Sequence, residues 1–107
     1  MFVVLVTHNT GHGDVTEPVQ LTGNLSEAVA TCRRVETMGY QFYGNEIGAG
    51  IYELGPEKRP YRKAEQTMVF YRQHYREPRS GSNWQEDWFD ENLKAKYLRE
   101  HPEEQLH

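Results

Sequence analysis

The chain opens on an unbroken run of apolar, strand-favouring residues, Phe2-Val3-Val4-Leu5-Val6. A strand with one wet face alternates apolar and polar positions. A continuous run therefore predicts a strand covered on both faces, here a central one. It ends near Thr7 and gives way to His8-Asn9-Thr10-Gly11-His12-Gly13-Asp14, a stretch dense in turn formers. Val15 to Thr22 reads as a second, half-buried strand, with Val19 and Leu21 on one face, Gln20 on the other, and Pro18 near its start as suits a sheet edge.

The period then changes. Asn24-Leu25-Ser26-Glu27 is a capping box, and Leu25, Val29, Cys32 and Val35 recur at helical spacing. Together they predict a helix over about 25–38, closed by Gly39 in a left-handed conformation. Tyr40-Gln41-Phe42-Tyr43 reads as a short strand, Gly44 to Gly50 as a flexible connection, and Ile51 to Leu54 as a strand that would pair with 40–43 in a hairpin. Residues 56–66 are charged and contain proline, the composition of a surface connection. Thr67 to Arg76 fits two templates. Met68, Tyr71 and Tyr75 match a helical stripe, but β-branched and aromatic residues crowd the segment and favour a strand.

Ser82 and Gln85 form a second capping box and predict a helix over about 84–100, with acidic residues early and basic ones late, in the order that complements the helix dipole. Its apolar residues fall on two opposed stripes: Trp84, Trp88, Ala95 and Leu98 on one, Phe89, Leu93 and Tyr97 on the other. Such a helix either kinks near Asp90 or is gripped from both sides. The second alternative predicts a homodimer, with Trp84, Trp88, Phe89, Leu93 and Tyr97 at the interface. Residues 102–107 read as a frayed end.

These elements define an α+β fold: a small antiparallel sheet with a central N-terminal strand, one packed helix and a C-terminal helix. All 107 residues form one domain, 1–79 as the sheet-plus-helix core and 80–107 as a helical extension. The helix over 25–38 has one apolar stripe and covers one face of the opening strand. The second cover is expected from Met68–Tyr71, from the C-terminal helix, or from another subunit.

Composition adjusts this picture. A hydrophobic fraction of 36% is low for a globular chain, and an aromatic fraction of 12% partly compensates, so the core is expected to be thin and completed by self-association. The single cysteine, Cys32, excludes an internal disulfide and a multi-cysteine metal site; on the apolar helix stripe it reads as a core residue. The opening run is too short for a signal peptide or a membrane span, so a cytoplasmic location without membrane association is expected. A formal net charge of -4 argues against uniform affinity for nucleic acid or anionic membrane.

Two stretches carry candidate chemistry. His8, His12 and Asp14 are transition-metal ligand types on one loop after a strand. Their spacing matches no mechanistic motif, and a plain turn accounts for the same residues better, so no metal or other cofactor is expected. The second stretch is 58–79, where seven basic residues face two acidic ones, a local formal charge of +5 against −9 for the rest. Tyr61, Phe70, Tyr71, His74 and Tyr75 are interleaved there with Lys58, Arg59, Arg62, Lys63, Arg72 and Arg76. Cations hold phosphates and aromatic rings stack on bases, so the composition suits single-stranded nucleic acid or RNA. It suits an acidic protein surface at least as well.

Val4-Leu5-Val6-Thr7-His8, Leu25-Ser26-Glu27-Ala28, Gly39-Tyr40-Gln41-Phe42 and Ile51-Tyr52-Glu53-Leu54 together resemble a loosely defined group of short, uncharacterised bacterial and phage domains. Their outline is strand, polar loop, strand, helix and hairpin. The resemblance covers residues 2–54 and implies no activity. The leading functional expectation is a non-enzymatic protein-interaction module, phage-encoded and directed at a host or defence complex, because no catalytic constellation is present and charge is strongly segregated. Nucleic-acid binding through 58–79 is the second reading, and a metal-dependent enzyme built on His8, His12 and Asp14 the third.

Overall fold

A computed structural model describes residues 1–9, 11–40, 47–55, 66–79 and 82–106, and the side chains of most of them. Five strands form one antiparallel sheet: β1 (Phe2–Asn9), β2 (Asp14–Thr22), β3 (Ile47–Leu54), β4 (Gln66–Arg79) and β5 (Ser82–Trp88), in the spatial order β2-β1-β3-β4-β5. Two helices accompany them, α1 (Leu25–Cys32) and α2 (Glu91–Glu100), with 3-10 turns at Val35–Thr37 and Pro102–Leu106. The architecture is α+β with an antiparallel sheet, as the sequence predicts. No helix among the described residues is long and apolar enough to cross a membrane.

The core lies on one side of the sheet. Val4 and Val6 of β1, Ile47, Ala49 and Ile51 of β3 and Phe70 of β4 are fully shielded there, under Ala28, Val29 and Cys32 of α1 and Val35 beyond it. β-Branched residues dominate the strands because stiff branched side chains fill a pleated surface well. Bulges shift the register at Val4/Leu5 opposite β2 and at Ile51/Tyr52 opposite β4. The second one lets Val69 join Phe70 in the core.

Helix α1 begins as expected: the Asn24 side chain accepts from the Glu27 N–H at 3.2 Å. The expected span of 25–38 is corrected: regular α-helix stops at Cys32, and the stripe continues through the 3-10 turn to buried Val35. Gly39 has φ +84, the left-handed conformation assigned to it.

The C-terminal helix differs most. Residues 84–88 are strand, not helix, and α2 starts at Glu91 with Asp90 as its cap, the carboxylate accepting from the Leu93 N–H at 3.0 Å. The break falls at the kink position that the two stripes allowed. Trp84, Glu86 and Trp88 share a sheet face by strand alternation, while Leu93 and Tyr97 share a helix face. The first stripe is thus divided between two elements, Trp84 and Trp88 on β5 and Ala95 and Leu98 on α2, so the pattern does not by itself require a second subunit. Of the expected interface residues, Trp84, Trp88 and Leu93 pack against the core, Tyr97 is 3% exposed within it, and Phe89 is 58% exposed.

Residues 47–50, expected to be a flexible connection, form the first half of β3, which is the middle strand of the sheet and pairs with β1 and β4. β1 is interior but second from the edge. The hairpin partner expected at Tyr40–Tyr43 falls largely outside the described residues, as do Lys58, Arg59, Arg62 and Lys63.

Candidate functional site

The two faces of the sheet have different chemistry, and β4 shows the division. Phe70, Arg72 and His74 face the helices, and Tyr71 and Gln73 face away. The basic-aromatic stretch is therefore not one surface. Phe70 is fully buried against Trp88, ring centroids 4.9 Å apart, and cannot stack on a base. Arg72 is 8% exposed. Its guanidinium lies 4.0 Å from the centroid of the Trp84 ring, pairs with Glu36 at 2.7 Å and Glu86 at 3.4 Å, and donates to the Cys32 carbonyl at 3.2 Å. His74 packs edge-on against Trp84. Tyr75 and Arg76 lie on β4, their side chains outside the described set.

The helix-side network continues through Arg33, the residue that caps the C-terminal end of α1. Arg33 forms a two-pronged pair with Glu86, both bonds 2.9 Å, and donates to Glu104 at 2.9 Å and to the Tyr97 hydroxyl at 3.3 Å. Tyr97 in turn donates to Glu104 at 2.5 Å. The hydrogen bonds to Glu86 push Arg33 further above its ordinary value. Burial, helped by the Glu104 hydrogen bond, raises the Tyr97 hydroxyl to about 12. The hydrogen bond from Arg33 outweighs burial at Glu104 and holds its carboxyl below the ordinary range. At Glu36 burial pushes up, but the Arg72 guanidinium prevails and the net shift is down. Burial carries the Cys32 thiol up to about 12, where it is no nucleophile at neutral pH. The network clamps α1, β4, β5 and the C-terminal segment together and presents no reactive group.

The candidate metal ligands His8, His12 and Asp14 are dispersed. His8 faces the helix side, 3.2 Å from Glu17 and with its ring centroid 4.5 Å from that of Tyr40. Asp14 faces the other side and accepts from the Asn9 amide at 3.3 Å. His12 lies in the turn between them. Among the described residues, His101, Glu103 and Glu104 are close enough together for one ion, their ligand atoms within 4.8 Å. These donors already serve the protein: His101 bonds Ser26 at 2.8 Å and Glu103 at 3.3 Å, and Glu104 holds Arg33 and Tyr97.

Among the described residues, the C-terminal half does not supply the second cover expected for the opening strand. α2 packs on the α1 side, with Tyr97 against Trp88 (ring centroids 5.3 Å apart) and His101 joined to Ser26. On the opposite face, the register aligns Leu21, Val3, Tyr52 and Met68 in one cross-strand row. The next row is Pro18, Leu5, Gly50, Tyr71 and Asp87; the one after it is Thr16, Thr7, Gly48, Gln73 and Gln85. Asn9 and Asp14 close the end. The face thus grades from apolar to polar along the strands. Leu21 is 62% exposed, and Val3, Leu5, Tyr52, Met68 and Tyr71 are half-buried by their neighbours within the sheet.

Glycines at 48 and 50 shape this surface. A Cβ on Gly48 would collide with the Tyr71 hydroxyl, and one on Gly50 would stand 3.0 Å from the Tyr52 ring and 3.1 Å from the Tyr71 ring. Both tyrosines lie down over the bare backbone of β3 instead of standing upright. Beside Tyr71 is an open cleft of about 350 Å³, lined by Thr7, Asn9, Asp14, Ile47, Gly48, Tyr71 and Gln73. The sequence contained the signal, since Gly48-Ala49-Gly50 followed by Tyr52 is a strand pattern with alternate side chains removed. The glycine count read instead as flexibility.

Comparison with protein families, with curated proteins and with solved structures finds no match to this chain.

Proposed function

We propose that the protein is a non-enzymatic interaction module that docks a protein partner on the face of its sheet turned away from the described helices. The observation that carries this reading is the row Leu21, Val3, Tyr52 and Met68, continued by Leu5 and Tyr71, on a face that no described helix crosses. Contiguous exposed apolar surface rimmed by polar residues is a feature of binding sites. The charged side chains described on this face, Asp14 and Asp87, are acidic, which favours a protein over the phosphate backbone of a nucleic acid. The resemblance to bacterial and phage domains makes a bacterial host or defence complex the place to look for the partner.

The experiment is affinity capture from such a lysate with the native chain and with Leu21→Glu and Met68→Gln. A protein retained by the native chain and lost with both variants, while their thermal midpoints stay near native, supports the reading. Equal capture by all three chains, or recovery of nuclease-sensitive material only, overturns it.

A further inference from the structure

We propose that the cleft beside Tyr71 receives an arginine side chain of the docked partner, an inference that rests on the docking reading above and names its polar anchor. The cleft lies at the polar end of the same face, continuous with the apolar rows through Tyr71. At about 350 Å³ it sits at the low end of the range that holds small ligands, roughly 300–1,000 Å³. Its lining is rich in acceptors: the Asp14 carboxylate, the Thr7 hydroxyl and the amide carbonyl of Gln73. No lysine or arginine is among its described lining residues.

Asp14 is held ready. The Asn9 amide nitrogen donates to its Oδ1 at 3.3 Å, and Asn9 Oδ1 is itself fixed by the Gly11 N–H at 2.7 Å. The neighbouring Thr7 and Thr16 hydroxyls share a 2.9 Å bond across β1 and β2. A carboxylate fixed at the rim of a cleft with an aromatic wall matches a guanidinium. The planar fork takes two parallel bonds to the carboxylate, and its face lies against the ring. An ammonium has neither the fork nor the flat face. A phosphate or carboxylate ligand would meet Asp14 head-on.

The test is titration of isotope-labelled protein with N-acetyl-arginine amide, its lysine counterpart and its neutral citrulline counterpart, followed by amide NMR. Saturable shifts at Gly48, Tyr71 and Gln73, larger for arginine than for lysine and weakest for citrulline, are expected. Asp14→Asn should weaken arginine binding about two- to fivefold, the range of one exposed ion pair, and Gln73→Glu should strengthen it. Equal response to arginine and citrulline, an unchanged response in Asp14→Asn, or no saturable shift overturns the assignment. If it fails while Leu21→Glu still abolishes partner capture, the docking face stands without this anchor; if Leu21→Glu has no effect on capture, the docking reading itself has failed.

Discussion

Arg33 reaches Glu86, Tyr97 and Glu104, so one guanidinium joins α1 to β5, α2 and the final turn. Removing it leaves the partly buried Glu104 carboxylate without its cation and Glu86 with Arg72 alone, at 3.4 Å. Arg33→Ala should destabilise by about 2–3 kcal/mol, less than a fully buried pair because solvent still reaches the site, as read by denaturant melts. The same contacts set the pH range. Glu36 and Glu104 titrate below 4.5 in the folded chain, so their contribution is complete above the ordinary carboxylate range and is lost as pH falls through the folded values. Cys32 and Tyr97 are raised from 9.0 and 10.0 to about 12. Their contribution is complete below pH 9 and is lost as pH rises toward the folded values. Thermal midpoints measured across pH should therefore form a plateau that drops at both ends, and Tyr97→Phe should soften the alkaline drop. Cys32 offers an independent reading: with its thiol buried and neutral, its labelling by a thiol reagent at pH 8 should be limited by opening of the chain.

At the scale of elements, legibility followed the distinctness of the period. The Asn24 cap and the α1 stripe have no strand equivalent, and α1 was legible to its first turn. Phe2 to Val6 and Thr67 to Arg76 were legible as strands from β-branched and aromatic crowding alone. Trp84 and Trp88 were not, because a spacing of four residues is two strand repeats and also about one helical turn. Both tryptophans fit either element until Glu86 is known to face Arg72 between them. The tyrosine-lined face was hidden for another reason: its flatness depends on side chains that Gly48 and Gly50 lack, and period-based reading scores only the residues that are present. The position of Trp88 and Tyr97 in the core makes β5 and α2 necessary to it. A 1–79 fragment loses both and exposes Phe70, so it should aggregate or remain without cooperative unfolding. A soluble, sharply melting fragment would contradict this.

The two faces of the sheet divide the work, one closed by apolar packing and a charged clamp, the other crossed by no described helix. Leu21→Lys should therefore raise the solubility limit while changing stability by no more than about 0.5 kcal/mol, since Leu21 packs against little; an equilibrium melt and a precipitation assay check the two halves of this statement. The strand order has a further effect, on time. β1 with β2, and β3 with β4 and β5, pair as neighbours in the sequence, and β1 with β3 is the junction between these two groups, bringing Phe2 opposite Glu53 and Val4 opposite Ile51. Loop-closure entropy opposes that encounter before any contact in it is made. Ile51→Val and Val6→Ala should slow refolding in stopped-flow measurements. Tyr97→Phe, at a contact made after the halves have met, should mainly hasten unfolding. The meeting of β1 with β3 then sets how fast this chain can become a protein at all.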